Sequence, residues 1–241
     1  ISPFTNNMEC KLHNQTMTLT TFTETAQPVA RAARPVPVAV PQAAPAAGGQ
    51  TSQMPWPLHV GVRVQQLHHD CKAKQWSAPF PALDSPRTLV MAFGERALMD
   101  TPEVMKELKA AYPGSVVVGC SGSGEMVGTT VRDEVLSVSV VRFEKTALSA
   151  AVATIKTSAQ SHAVGEALGK RLAKPGLKAA FVLSDGLGVN GSELVRGLNA
   201  ALPGDVVVTG GLAGDGARFE KTWVMLNDKV GSSLVAAVGL Y

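Results

Sequence analysis

Two glycine-rich strings carry the residue types best suited to chemistry in this chain. Gly119-Cys120-Ser121, with Gly124 and Glu125 close behind, follows a run of three valines. Gly210-Gly211, with Gly214 and Asp215, follows another. Between them Ser184-Asp185-Gly186 closes an apolar run, and Asn190 stands shortly after it. Glycines let backbone N–H groups approach an anionic group such as a carboxylate, and Asp185 and Asp215 are candidates to receive an ammonium. Such a set suits a zwitterion of amino-acid type. The same glycines would equally serve tight turns, and both readings stand at this point. Phosphate-loop patterns are missing: no lysine follows the glycines, and neither string completes Gly-x-Gly-x-x-Gly at the start of a helix.

Nucleophilic and metal chemistry find less support. Cys120 beside Ser121 and Ser123 would need a base, and Gly-x-Ser-x-Gly is not matched because Ser123 stands two residues after Ser121. His162 is the only histidine after the first clear strand and falls on a predicted helix. A thiol or serine hydrolase is therefore an alternative without a complete constellation, and the expectation is a protein that is not an enzyme. His68-His69 with Cys71 have metal-ligand residue types, but three on one short segment without a second pair read as solvated loop residues. No metal site is expected. Trp56, Trp76 and Trp223 read as packing residues.

The elements that must position these strings begin near Arg87. Thr88 to Phe93 reads as a buried strand. Thr101-Pro102-Glu103 opens a helix with Thr at the N-cap and Pro at the first helical position, which Pro113-Gly114 stops. Val116-Val117-Val118 is a strand entering the loop Gly119 to Gly128, and Val135 to Phe143 alternates as another strand. A helix over Ser158 to Leu172 follows. Then the order recurs: strand Ala179 to Leu183, helix Ser192 to Leu202, the stop Pro203-Gly204, and strand Val206-Val207-Val208 into the loop Gly210 to Gly216. Thr222 to Leu226 and Ser233 to Leu240 are expected to form a hairpin around Asn227-Asp228-Lys229. Residues 103–118 laid on 193–208 share nine identities: Glu103, Leu108, Ala110, Ala111, Pro113, Gly114 and the three valines. The pattern predicts an α/β fold with mixed sheets and flanking helices, built from two pseudo-repeated β-α-β-β units (about 88–143 and 178–240). Gly124 then falls over Gly214 and Glu125 over Asp215.

Composition bounds the rest. Aromatics are only 5% against 45% hydrophobic residues, so Val, Leu, Ala and Met must build the core. Residues 1–53, rich in Thr and then in Ala, Pro, Val and Gln, read as a disordered low-complexity tail, and 54–86 as a poorly defined extension in which His59 to Val64 alternates like a short strand. A net charge of +3, scattered, excludes a nucleic-acid stripe. No stretch of 18 apolar residues occurs, so no membrane helix is expected. The three cysteines, Cys10, Cys71 and Cys120, form no disulfide framework, which fits a cytoplasmic protein.

Gly119-Cys120-Ser121 with Gly124-Glu125, then Ser184-Asp185-Gly186-Leu187 and Asn190-Gly191, then Gly210-Gly211-Leu212-Ala213-Gly214-Asp215-Gly216 and Phe219, resemble the N-terminal FIST domain over about Arg87 to Tyr241. That family occurs in bacterial signalling proteins and in a eukaryotic F-box protein. The resemblance implies a sensory domain for small ligands, amino acids among them, with a signalling partner such as a histidine kinase. Some members are described as haem-binding nitric-oxide sensors, which makes haem, with His162 as axial ligand, the alternative cofactor reading. The family's second FIST domain does not follow Tyr241, so the expectation is a domain truncated before it.

Overall fold

The computed structural model describes residues 61–241; the expected tail 1–53, Trp56 and His59 lie outside them. Thirteen strands and three α-helices follow in order: β1 (Val62–Asp70), β2 (Gln75–Trp76), β3 (Thr88–Gly94), α1 (Pro102–Ala111), β4 (Val116–Ser121), β5 (Glu125–Val127), β6 (Thr130–Arg132), β7 (Val135–Phe143), β8 (Leu148–Thr154), α2 (Ser161–Leu172), β9 (Ala179–Ser184), α3 (Gly191–Ala201), β10 (Val207–Leu212), β11 (Val224–Leu226), β12 (Lys229–Gly231) and β13 (Leu234–Leu240). The α/β class and the mixed sheets are as the sequence predicts.

The strands form a seven-stranded sheet, ordered β12-β11-β4-β3-β7-β1-β2, a four-stranded sheet, ordered β10-β9-β13-β8, and the separate hairpin β5-β6. In the large sheet β3 runs parallel to β4 and antiparallel to β7. In the small sheet β9 runs parallel to β10 and antiparallel to β13. Strand alternation divides each sheet into two apolar faces. The inner faces meet: Leu89, Val118 and Cys120 of the large sheet pack with Leu183, Ala236 and Val238 of the small one. Helix α1 covers the outer face of the large sheet through Met105 and Leu108, against Val90, Val138 and Val140. Helices α2 and α3 cover the small sheet through Leu168, Leu172, Leu194 and Leu198, against Ala180, Val182, Val235 and Ala237. Burial on both faces explains why the strands read as continuous apolar runs.

Helices α2 and α3 cross closely because glycine lines the contact. A Cβ on Gly165 would lie 2.2 Å from the Leu194 carbonyl oxygen, and one on Gly197 would lie 2.0 Å from that of His162. The two backbones touch where any side chain would hold them apart.

Several expectations are corrected. Residues 62–70 form a long strand paired along its whole length with β7, so His68 and His69 are strand residues and not a solvated loop; His69 is buried. Alternating polarity there reflects one covered face, which the high polar content obscured. Strands β5, β6 and β8 were not anticipated, being short or alanine-rich. Thr222–Leu226 and Ser233–Leu240 do not pair: β11 pairs with β12 around Asn227 and Asp228, while β13 crosses into the small sheet. Asn227, at φ 52°, makes that tight turn. Thr101 stands at the N-cap of α1 without its side chain accepting a bond, whereas Asn190 caps α3 by accepting from the Glu193 N–H. The ladders also slip relative to the sequence overlay. Val116 faces Leu89, but Val207, not Val206, faces Ala179. Glu125 and Asp215 therefore do not occupy matching positions: one starts a hairpin strand, the other sits in an isolated bridge with Ala217.

Candidate functional site

The two glycine-rich strings begin as strand before they turn: Gly119–Ser121 ends β4 and Gly210–Leu212 ends β10. Beyond those carboxyl ends three turns meet. The Gly214 N–H donates to the Ser121 carbonyl at 2.8 Å, Ala213 N–H to the Ser184 carbonyl at 2.8 Å, and Gly216 N–H to Ser123 Oγ at 3.0 Å. Glycine is required at the crossings. A Cβ on Gly186 would lie 1.9 Å from the Ala213 carbonyl oxygen, and one on Gly214 would lie 2.5 Å from Ser123 Oγ. Segments about ninety residues apart are thus laced together at one end of the stacked sheets.

Between the sheets at that end lies a cavity of about 400 Å³. Its large-sheet wall is Phe93 of β3 and Cys120, Ser121, Gly122 and Ser123. Its small-sheet wall is Phe181 and Leu183 of β9 with Thr209 to Leu212 and Gly214. It sits at the carboxyl ends of parallel strands, where α/β sheets place ligands. Among the described residues β10 has a neighbour on one side only, so part of its N–H and C=O groups point away from the ladder. Phe93, Phe181 and Thr209 were not anticipated as cavity residues; the alternation of β3 and β9, which turns Leu89, Met91 and Phe93 inward, was the available signal.

Of the expected site residues, Cys120, Ser121, Gly210, Gly211 and Gly214 line this cavity. Ser184 instead faces a second cavity, also about 400 Å³, between β10 and α3 on the outer side. Gly119 lies against β3, where a Cβ would sit 2.1 Å from the Ala92 carbonyl oxygen. Gly186 serves the turn crossing and Asn190 the cap of α3.

Neither Asp185 nor Asp215 is available for an ammonium, contrary to expectation. Asp185 Oδ1 accepts from the Leu187 and Gly188 N–H groups at 2.9 and 2.8 Å, and Oδ2 from the Thr222 hydroxyl and the Ser233 N–H at 2.9 and 3.0 Å. Burial pushes this carboxyl upward, but the bonds from Gly188, Ser233, Leu187 and Thr222 outweigh it, and it lies below its usual range. Asp215 accepts from the N–H groups of Lys221 and Glu220 and from Arg218 Nε, which holds its carboxyl low as well. Both acids pin turns.

Glu125 is different. It is 3% exposed, and its Oε1 has no hydrogen-bond partner. Burial, with Glu95 and Asp133 nearby, pushes its carboxyl up to about 7. It lies directly under the cavity wall: a Cβ on Gly122 would be 2.4 Å from Glu125 Oε1. Gly124, at φ 115°, makes the turn into it.

Burial, and then the charge of Glu125, pushes the Cys120 thiol up to about 12, so it stays protonated and a poor nucleophile. Ser121 Oγ accepts the Trp223 N–H at 3.1 Å, and no histidine lines the cavity. Those residues do not fit a haem iron either: the one axial-ligand type in the wall is Cys120, and a haem thiolate must be ionised. His162 lies half-buried on α2. Among the described residues no group of three or more His, Cys, Asp or Glu could hold a metal ion, and no helix is long and apolar enough to cross a membrane.

A family model described as the FIST N domain matches residues 88–241. A search of curated proteins finds no match to the chain.

Proposed function

Since the chain belongs to the FIST N domain family, a sensory family of signal transduction, we propose that it binds a small amino-acid-like zwitterion in the cavity between its sheets and reports occupancy to a signalling partner. The observation that supports this reading is the convergence of the laced turns on one cavity of about 400 Å³, a volume suited to a small metabolite. A zwitterion needs N–H donors for its carboxylate and acceptors for its ammonium. The outward groups of β10, an edge strand among the described residues, supply both along the cavity rim. Ligand binding would tighten contacts between segments of both sheets, which is how occupancy changes the surface seen by a partner. Catalysis is not part of this reading, because Cys120 and Ser121 lack a base.

Calorimetric titration of the full chain with a panel of amino acids tests it. At least one is expected to bind, and Gly211→Leu to abolish that binding. A Cβ at Gly211 meets no atom within 4 Å, so the added side chain occupies the cavity without disturbing the strand. Absence of heat across the panel refutes the amino-acid reading, and unchanged binding by Gly211→Leu refutes the site.

A further inference from the structure

A cavity of about 490 Å³ lies away from the laced turns and is lined by Arg63, Ser85, Arg87, Arg142 and Glu144, together with Pro86 and Phe143. Arg63 of β1 and Arg142 of β7 are direct partners in the antiparallel ladder. Directly opposed residues share a face with Cβ atoms roughly 4.5–5.5 Å apart, and like charges so placed repel. By alternation that face is the one on which Leu67, Val138 and Val140 pack under α1; at Arg63 and Arg142 the strands have run past the cover and both residues are exposed. Arg87 joins them. Its Nη1 donates to the Glu144 carbonyl at 2.9 Å, and its own carbonyl accepts the Phe143 N–H at 3.0 Å, tying it to the end of β7.

None of the ion pairs among the described residues includes any of the three arginines. The Glu144 carboxylate, the one acid in the lining, lies by Gly61, where a Cβ would be 3.1 Å from its Oε2. Three guanidiniums less one carboxylate leave a net two positive charges around the cavity. A phosphate monoester carries close to two negative charges at neutral pH, and guanidinium forks match phosphate oxygens bidentately. Among the described residues this repulsive cross-strand pair has no ion-pair partner, and a phosphate-bearing ligand in the adjoining cavity would neutralise it. We propose that this cavity is a second ligand site, for a small molecule bearing a phosphate or pyrophosphate group, independent of the cavity between the sheets.

Thermal unfolding of the full chain at fixed ionic strength, with pyrophosphate or acetate as the probe, tests the proposal. Pyrophosphate is expected to raise Tm by roughly 5–10 °C at a hundredfold excess over Kd, with acetate giving no comparable rise. Arg142→Gln, at an exposed position, is expected to fold, to be no less stable than the parent without anion because the repulsion is removed, and to weaken pyrophosphate binding about tenfold or more by calorimetry. Pyrophosphate that leaves the parent unmoved overturns the site, as does an equal shift in Arg142→Gln. A rise as large with acetate overturns the phosphate class.

Discussion

Replacing Asp185 by Asn tests whether the buried acids of the turns pin the site or serve a ligand. The change keeps the shape of the side chain but turns one acceptor oxygen into an NH2 group. Whichever way the amide settles, two of four donors lose their acceptor: the N–H groups of Leu187 and Gly188, or the Thr222 hydroxyl and the Ser233 N–H. Bonds to a charged group contribute about 1.5–3 kcal/mol each, so losing two costs about 3–6 kcal/mol, a large part of a typical total of about 5–15 kcal/mol. Urea unfolding at pH 7 reads the loss directly, and hydrogen exchange at Leu187, Gly188 and Ser233 localises it. The pH dependence has a definite sign. The folded carboxyl lies below its ordinary 3.8, so its stabilisation is complete above about pH 4 and disappears as pH falls through the lower folded value. Parent and Asp185→Asn should therefore converge in acid. A loss under about 1 kcal/mol at pH 7, with an unchanged denaturant slope, refutes the pinning role.

Two further substitutions probe other parts of the argument. Glu125→Gln should gain on the parent as pH rises from about 4.5 to 7, because over that range the unfolded carboxyl ionises while burial keeps the native one protonated to about 7, so the parent loses stability; a difference on the order of 3 kcal/mol at pH 8 is expected from denaturant titrations, and a difference flat with pH refutes the burial of that acid. Gly165→Ala should lower stability by about 2 kcal/mol despite the better helix propensity of alanine, since its Cβ would press on the Leu194 carbonyl; a rise in Tm would show that the helices separate freely.

Much of the fold is legible in the chain because local signals agree. The Pro-Gly stops at 113–114 and 203–204 end α1 and α3 where the valine runs begin, and each run is a parallel strand beside the strand before its helix. The sequence is least informative where an element depends on distant partners. His59 to Val64 looks like a short strand that stops, and the polar residues after it up to Asp70 look like loop, because only one face of β1 is covered and the cover comes from a fold completed much later in the chain. Residues 224–240 look like a single hairpin because nothing local says that β13 leaves for the other sheet. The site divides similarly. Glycines 210, 211 and 214 stand in the wall of a cavity, and open backbone at such positions is a local property that a sequence shows. An aspartate, by contrast, looks the same in sequence whether it faces solvent, ligand or four backbone and hydroxyl donors, and only the turns brought together around Asp185 and Asp215 decide between them.

The cavity itself follows from a difference between two otherwise similar sheets. In the large sheet β4 is flanked on its far side by β11, and Cys120, facing Phe93 across the ladder, projects a thiol into the inter-sheet layer. At the corresponding ladder position of the small sheet, facing Leu183, stands Gly211, with nothing within 4 Å of where its Cβ would be. Among the described residues no strand flanks β10 on its far side. One side chain is missing from the layer at the place where one strand is missing from the sheet. The void and its unpaired backbone groups therefore have the same origin, and a side chain at 211 removes the first while leaving the second, which is why Gly211→Leu separates ligand capture from strand pairing.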